Sequence, residues 1–541
     1  MNAIASEILD PEKRRRLGLA GVLACAAASF LYFLLPLGRL EHCFPIDDSY
    51  ITLTAARNIA QHNLFAINPD APGAGITSPL HVLLVGFLGK AIGVETADRA
   101  LGLVALLFAI AGTFIWSELL GARWIAATVA SLALVAFGAL SFNALNGLET
   151  DLFAALIIWT FVFMEKSRDH PRWTYGLGAL VGLAMLTRPE GYFLAAAVFS
   201  TRAVELLWRR EFRRLPELAI AGGLAAAIVA PYLLYNLVKQ GHFFPPTVSA
   251  KKYFFSQFCA PLKVSAKIVG QSVWHLLGAL SGLAVVLLAF ARSWQRRGYA
   301  LLFLLIFYTA YLFEFAGALQ HYWGRYQMPL LPILFAGMAV GGQTLAGWLF
   351  RRPKEIAIGR AVLIAVALLI ALGGAVGVVK RGVLEYLVYR HALSSADEYG
   401  YLMGVVKIVR ENTEPGDLIA AHDIGILSYF AERPLLDMVG LTDPTAAKIH
   451  REYSTCKGFR RRPQQLYEYL QQRRPKLVVF FPDWDAHFLG LLRQDRGRHM
   501  QLLRRHTKTP AERLFGNQRL GEYDFYLCDW DHDLREAEAQ K

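Results

Sequence analysis

Apolar residues in this 541-residue chain fall into long runs separated by short, basic stretches, and this pattern stops near residue 380. Runs of roughly 17 to 25 residues have the length that crosses a hydrocarbon core as helix. They predict spanning helices at about 17–38, 98–118, 122–142, 150–165, 173–187, 189–207, 216–238, 270–291, 299–318, 327–349 and 358–380. One further run, 80–92, is short, follows Pro79 and carries His81 and Lys90, which suits an interfacial or re-entrant helix. Leaving it uncrossed gives eleven spans, with the N-terminus cytoplasmic and everything after 380 on the outer side.

Beyond 380 the chain becomes charged and has no run of membrane length, so a separate soluble domain is predicted. Residues 417–422 and 476–481 have the continuous apolar character of buried strands, 463–474 is helical in pattern, and Asp423-Ile424-Gly425 opens a helix. The expected fold class is therefore a polytopic α-helical membrane protein with a C-terminal soluble α/β domain. The division is 1–380, which includes an outer loop at 39–97, and 381–541.

Composition changes this picture little. The hydrophobic share is 55% and the formal charge is +13, but the Lys and Arg residues cluster in loops between spans, as at Lys13 to Arg16 and Arg209 to Arg214. Topology accounts for that placement through the positive-inside rule, so no nucleic-acid partner is expected. The first apolar run lacks a small-residue cleavage site before Asp47 and is expected to stay as a helix. Of the five cysteines, Cys25 falls in the first span and the others outside, where Cys456 and Cys528 are the expected disulfide pair. No Cys/His spacing matches a zinc site.

The candidate chemistry lies in the outer loops. The first carries Asp47, Asp48, Tyr50, Arg57 and His81, and the loop before residue 150 carries Glu149, with Asp151 just beyond it. Arg188 sits in Thr187-Arg188-Pro189-Glu190-Gly191, Lys251 and Lys252 in a longer loop, and Arg325 beside Tyr322, Trp323 and Tyr326. Carboxylates at a membrane surface can take the proton from an attacking hydroxyl, and cations at the same depth bind and stabilise the phosphate of a lipid carrier. Group transfer from a membrane-anchored donor is the function this inventory fits. Plainer roles compete: Asp47 or Asp48 could cap a helix, Glu149 could sit favourably on a helix dipole, Arg188 could bond freed carbonyls, and the lysines could be solvated.

Asp47-Asp48-Ser49-Tyr50, the helix through Arg57-Asn58-Ile59-Ala60, and Gly75-Ile76-Thr77-Ser78-Pro79-Leu80 resemble the first outer loop of GT-C glycosyltransferases. These polytopic enzymes use polyprenyl-phosphate sugars and include protein mannosyltransferases, lipid A aminoarabinose transferases and mycobacterial arabinofuranosyltransferases. Gly147-Leu148-Glu149-Thr150, Leu186 to Gly191, Pro245-Pro246-Thr247 with Lys251, Gly324-Arg325-Tyr326 with Pro329, and Asp437 to Asp443 resemble further blocks in the same order. The resemblance implies a bacterial inner-membrane transferase acting on an envelope glycan, glycolipid or protein acceptor at the outer face. Asp47 would be the catalytic base and Asp48 its partner. Lys251, Arg325, Arg188 and Tyr326 would hold the donor phosphate, while Glu149, Tyr50, Arg57 and His81 would support the acceptor side. No cofactor is expected, and a divalent metal is left open. His62-Asn63 stands where this branch usually has a glycine-containing turn. A transporter or flippase, and a non-catalytic assembly factor, are the alternatives of other classes.

Overall fold

A computed structural model describes residues 11–37, 44, 46–68, 75–245, 247, 253, 261–277, 294–350, 396–454, 461–507 and 522–539. Its first part is helical: α1 Pro11–Leu37, α2 Asp47–His62, α3 Pro79–Ile92, α4 Val94–Leu119, α5 Trp124–Ala136, α6 Ala139–Asn143, α7 Thr150–Asp169, α8 Arg172–Thr187, α9 Glu190–Trp208 and α10 Leu215–Gln240. Helices Leu262–Leu277, Trp294–Glu314 and Leu331–Phe350 follow. Among the described residues four helices are long and apolar enough to cross a membrane, at Pro11–Leu35, Val94–Leu119, Phe212–Gln240 and Arg297–Glu314. The predicted span at 358–380 and the second half of 270–291 lie outside the described residues.

One expectation changes in detail. The apolar run 122–142 is not one helix, because Gly138 at φ +75° breaks it into α5 and α6. The 14 residues of α3 rise only about 21 Å, short of the hydrocarbon thickness of about 30 Å.

Small residues let the helices approach closely. A Cβ on Gly178 would lie 2.3 Å from the Ala221 carbonyl oxygen, and one on Gly102 would lie 1.9 Å from that of Ala144. At the far end of α7 from residue 150, Arg168 Nε reaches Glu205 Oε1 at 3.1 Å and Arg202 Nη1 reaches Glu205 Oε2 at 3.0 Å. Arg214 also donates to the Arg168 carbonyl, at 2.9 Å. Some of the basic residues assigned to topology therefore also tie α7, α9 and α10 together.

The soluble domain carries a five-stranded sheet in the order β2-β1-β3-β5-β4, from β1 Ile419–Ala421, β2 Leu435–Asp437, β3 Leu477–Phe480, β4 Met500–Thr507 and β5 Glu522–Cys528. β1 runs parallel to β2 and β3, whereas β5 is antiparallel to β3 and β4. Strands β1 and β3 and the helix Arg462–Arg473 lie where the apolar pattern placed them. Of the expected disulfide pair, Cys528 is buried in the domain core, its thiol 3.6 Å from the Tyr526 carbonyl, and Cys456 lies outside the described residues.

This domain docks directly on α2. Tyr50 is fully buried, with its ring 5.6 Å from that of Tyr429 and 5.5 Å from that of Phe430. It shares one apolar cluster with Leu53, Ala56, Ile424 and Leu427. Each such side chain removed from water contributes about 1.5–3 kcal/mol, so α2 is held by packing before any polar contact is counted.

Candidate active site

Asp47 and Asp48 are both helical residues, the first two of α2. Successive positions on an α-helix are about 100° apart, so the two carboxylates leave on different faces. Asp47, Tyr50, Thr54 and Arg57 form the face against the soluble domain. Asp48, Ile51, Thr52 and Ala55 form the face that lines a cavity of about 370 Å³.

Neither acid caps α2, whose N-cap is Ile46 with no side-chain hydrogen bond. Asp47 instead serves a helix in the other domain: Oδ2 accepts from the Gly425 amide at 2.8 Å and Oδ1 from the Ile426 amide at 2.7 Å. These are the amides of a helix start, which favour an anion through their dipoles. Asp47 is 6% exposed and does not line the cavity. The structure thus places both Asp47 oxygens on amides of the soluble domain, while Asp48 faces the cavity.

Gly425 is the residue that makes this approach possible. A Cβ there would lie 1.9 Å from the Asp47 carbonyl oxygen and 2.5 Å from Oδ2. Gly425→Ala is expected to undock the 424–431 segment from α2, seen as faster amide hydrogen exchange in both. Unchanged exchange in the purified variant would refute the close fit.

Burial, followed by the neighbouring Asp423 carboxylate, holds the Asp47 carboxyl well above the usual value of 3.8, against the lowering effect of the Ile426 amide. Asp423 is itself bonded to Asp47 and accepts from Tyr523 Oη at 2.7 Å. A group with a raised folded pKa takes up a proton on docking. Its contribution is full below pH 3.8 and is lost as pH rises through the raised folded value. Docking is thus expected to loosen with rising pH, and Asp47→Asn to flatten that dependence, read by hydrogen exchange across 424–431.

Three other expected site residues also belong to docking or to the helix core. Tyr50 accepts from the Phe44 amide at 2.9 Å within the docked cluster. Arg57 donates to the Tyr429 carbonyl at 2.6 Å, with its guanidinium 4.3 Å from that ring. His81 Nε2 lies 2.9 Å from Asp98 Oδ1, with both side chains 3% exposed, joining α3 to α4 behind the cavity wall. Asn63 takes φ +55° at the end of α2, the left-handed conformation a glycine ordinarily fills, so the departure at His62-Asn63 preserves the turn.

The cavity gathers Asp48, Glu149, Arg188, Arg325 and Tyr326. Asp48 Oδ2 accepts from Arg325 Nη2 at 2.7 Å, and the same nitrogen lies 3.3 Å from Tyr326 Oη. Arg188 Nη2 donates to Glu190 Oε1 at 2.8 Å, and its Nε lies 3.7 Å from Glu149 Oε1. The Tyr326 ring lies close to both guanidiniums, 4.9 Å from that of Arg188 and 5.0 Å from that of Arg325. Burial alone would lower the pKa of Arg325, but Tyr326, Asp48 and Glu149 raise it above the ordinary guanidinium value.

Local sequence explains these positions. Arg188 precedes Pro189, which disfavours helical backbone, and it adopts φ −152° and ψ +152° between α8 and α9. Its side chain therefore leaves the helix end. Gly324 at φ +82° turns the chain just before Arg325. Buried Asn146 accepts from the Leu148 amide at 3.1 Å and donates to Asn143 Oδ1 at 2.9 Å, which shapes the loop presenting Glu149.

Glu190, Tyr311, Glu314 and Leu441 also line the cavity and were not singled out in the sequence as site residues. Tyr311 Oη donates to Glu190 Oε1 at 2.6 Å from within an apolar span, where only its hydroxyl could have signalled a role. Asp151 is 1% exposed and turned into protein, so it does not join Glu149. Lys251 and Lys252 lie outside the described residues. Among those described, no three His, Cys, Asp or Glu side chains gather as a metal site.

A family model described as a domain of unknown function, DUF8728, matches residues 390–526, which is most of the soluble domain. No curated protein matches the chain. Among solved structures, ArnT from Cupriavidus metallidurans bound to undecaprenyl phosphate aligns over 94% of this chain and 98% of its own, with 15% identity and a TM-score of 0.51. The same protein in the apo state gives a TM-score of 0.53 at 14% identity, over 94% and 98% of the two chains. The archaeal oligosaccharyltransferase AglB from Archaeoglobus fulgidus, in complex with an inhibitory peptide and a dolichol-phosphate, aligns over 95% of this chain and 75% of its own, with 13% identity and a TM-score of 0.52. The chain is a multi-pass membrane protein with the GT-C fold of ArnT and AglB.

Proposed function

We propose that the protein is a glycosyltransferase that moves a sugar from a polyprenyl-phosphate carrier to an envelope glycan, glycolipid or protein acceptor at the outer face of a bacterial inner membrane. The observation that carries the reading is the convergence of Asp48, Arg325, Arg188 and Tyr326 on one cavity whose remaining wall is largely apolar. The neighbours with this fold were solved with undecaprenyl phosphate and with a dolichol-phosphate, which supports the choice of carrier.

In this reading Arg325 and Arg188 hold the carrier phosphate, and Phe193, Ala310 and Phe315 supply apolar surface for the tail. An arriving phosphate competes with Asp48 for Arg325, which releases the carboxylate to act as base. Asp48 takes the acceptor hydroxyl proton as its oxygen attacks the anomeric carbon. The bond from that carbon to the phosphate oxygen breaks, and the two guanidiniums stabilise the departing negative charge. Displacement from the opposite side inverts the anomeric configuration.

The test is native mass spectrometry of the full-length protein with undecaprenyl phosphate, alongside analysis of polyprenyl-linked sugars in a deletion strain. Binding that weakens in Arg325→Ala, with a lipid-linked sugar accumulating in the strain, supports the reading. Absence of binding together with an unchanged lipid-linked pool would sink it.

A further inference from the structure

The soluble domain does more than brace α2, because Leu441 reaches the cavity itself. Its segment is rigidly built. Asp437, at the end of β2, accepts from the amides of Val439 at 2.9 Å, Gly440 at 3.1 Å and Thr442 at 2.6 Å, and from the Thr442 hydroxyl at 3.2 Å. Gly440 takes φ +82°, and a Cβ there would lie 2.4 Å from the Ala447 nitrogen. A turn held by four hydrogen bonds to one buried carboxylate has little freedom to shift.

The same segment is seated on two loops of the membrane domain. The Leu441 carbonyl accepts from Thr247 Oγ1 at 2.8 Å. Gly75, at φ +84°, passes so close that a Cβ would lie 3.0 Å from that carbonyl oxygen and 2.6 Å from Thr442 Cγ2. The same Cβ would lie 3.0 Å from Ile67, which packs with Ala55 in one apolar cluster. Leu441 therefore stands near the Ala55 level of α2, while Arg325 and Asp48 mark its first turn. Seven residues of helix separate those levels by about 10 Å, room for a sugar-sized group between the base and this wall.

We propose that Leu441, carried on the turn braced by Asp437, forms part of the acceptor-side wall of the cavity, and that its side chain sets how large a group can approach Asp48. This rests on the transferase reading above. The donor tail requires apolar helix surface, so the wall supplied by the soluble domain is the one an acceptor from the aqueous side meets. Leu441 is partly buried and also packs against the domain core, so each variant is compared with the parent by size-exclusion profile.

The experiment places Thr52→Cys, on the cavity face of α2, in the full-length protein and follows its alkylation by peptide mass spectrometry with N-ethylmaleimide and with fluorescein maleimide. Leu441→Ala is expected to speed the bulky reagent by about fivefold and Leu441→Phe to slow it, with the small reagent and undecaprenyl phosphate binding little changed. Leu441→Met, close in volume, should behave as the parent. Equal bulky-reagent rates in the Ala and Phe variants, both retaining the parent's size-exclusion profile, would overturn the wall. Failure of the parent to bind undecaprenyl phosphate would instead overturn the transferase reading, leaving the size-dependent access intact.

Discussion

Asp48→Asn is expected to lower sugar transfer by about 10²–10⁴-fold, the loss that follows removal of a positioned general base. Asp47→Asn is expected to leave most of the turnover. The two substitutions are chemically identical and adjacent in the chain, so the contrast isolates direction. Asp48 faces the cavity and Arg325, whereas both Asp47 oxygens accept amides of the soluble domain. Asn at 47 keeps one acceptor and leaves the second amide short, a stability cost of about 1–3 kcal/mol with no reacting atom involved. Transfer of a radiolabelled sugar from lipid carrier in membranes, normalised to folded protein, gives both rates. An inactive but fully docked Asp47→Asn protein beside an active Asp48→Asn protein would return the base to position 47.

That contrast also marks where the sequence stops being informative. The acidic pair, its place after the first span, and the group containing Arg188, Arg325, Tyr326 and Glu149 could be read from residue types and from loops bounded by membrane-length runs. Which acid faces the cavity could not. A one-residue step turns a helix by about 100°, and the rotation of α2 is fixed by backbone amides more than 370 positions away, at Gly425 and Ile426. The packing of Tyr50 and Arg57 was hidden for the same reason, since their partners Tyr429 and Phe430 come from the other domain.

His81 teaches a related lesson: its partner Asp98 sits on the next helix, and a lone polar residue in an apolar run gives no sign of being paired. Strands β1 and β3 were legible because they are buried on both faces, as central parallel strands are. The edge strand β4 escaped because most of its residues face water and it carries Arg504, Arg505 and His506 in succession. Its partner β5 was missed with it, although β5 is largely buried.

Arg188→Met is expected to destabilise the membrane domain by about 3–5 kcal/mol, because it strands a buried carboxylate. Arg188 and Glu190 are 4% and 5% exposed at the side chain and bond at 2.8 Å, and Glu149 lies close to the same guanidinium. Replacing both partners, as Arg188→Met with Glu190→Met, removes the unpaired charge and should recover most of that loss, since an apolar pair of similar volume is often as stable as a buried ion pair. Thermal unfolding in detergent separates the single from the double variant. Undecaprenyl phosphate binding should remain lost in both, because Arg188 Nη1 is buried with no hydrogen-bond partner among the described residues and is available to an anion. If the double variant regains carrier binding along with stability, Arg188 serves only the helix break it sits in, and Arg325 alone would have to hold the phosphate.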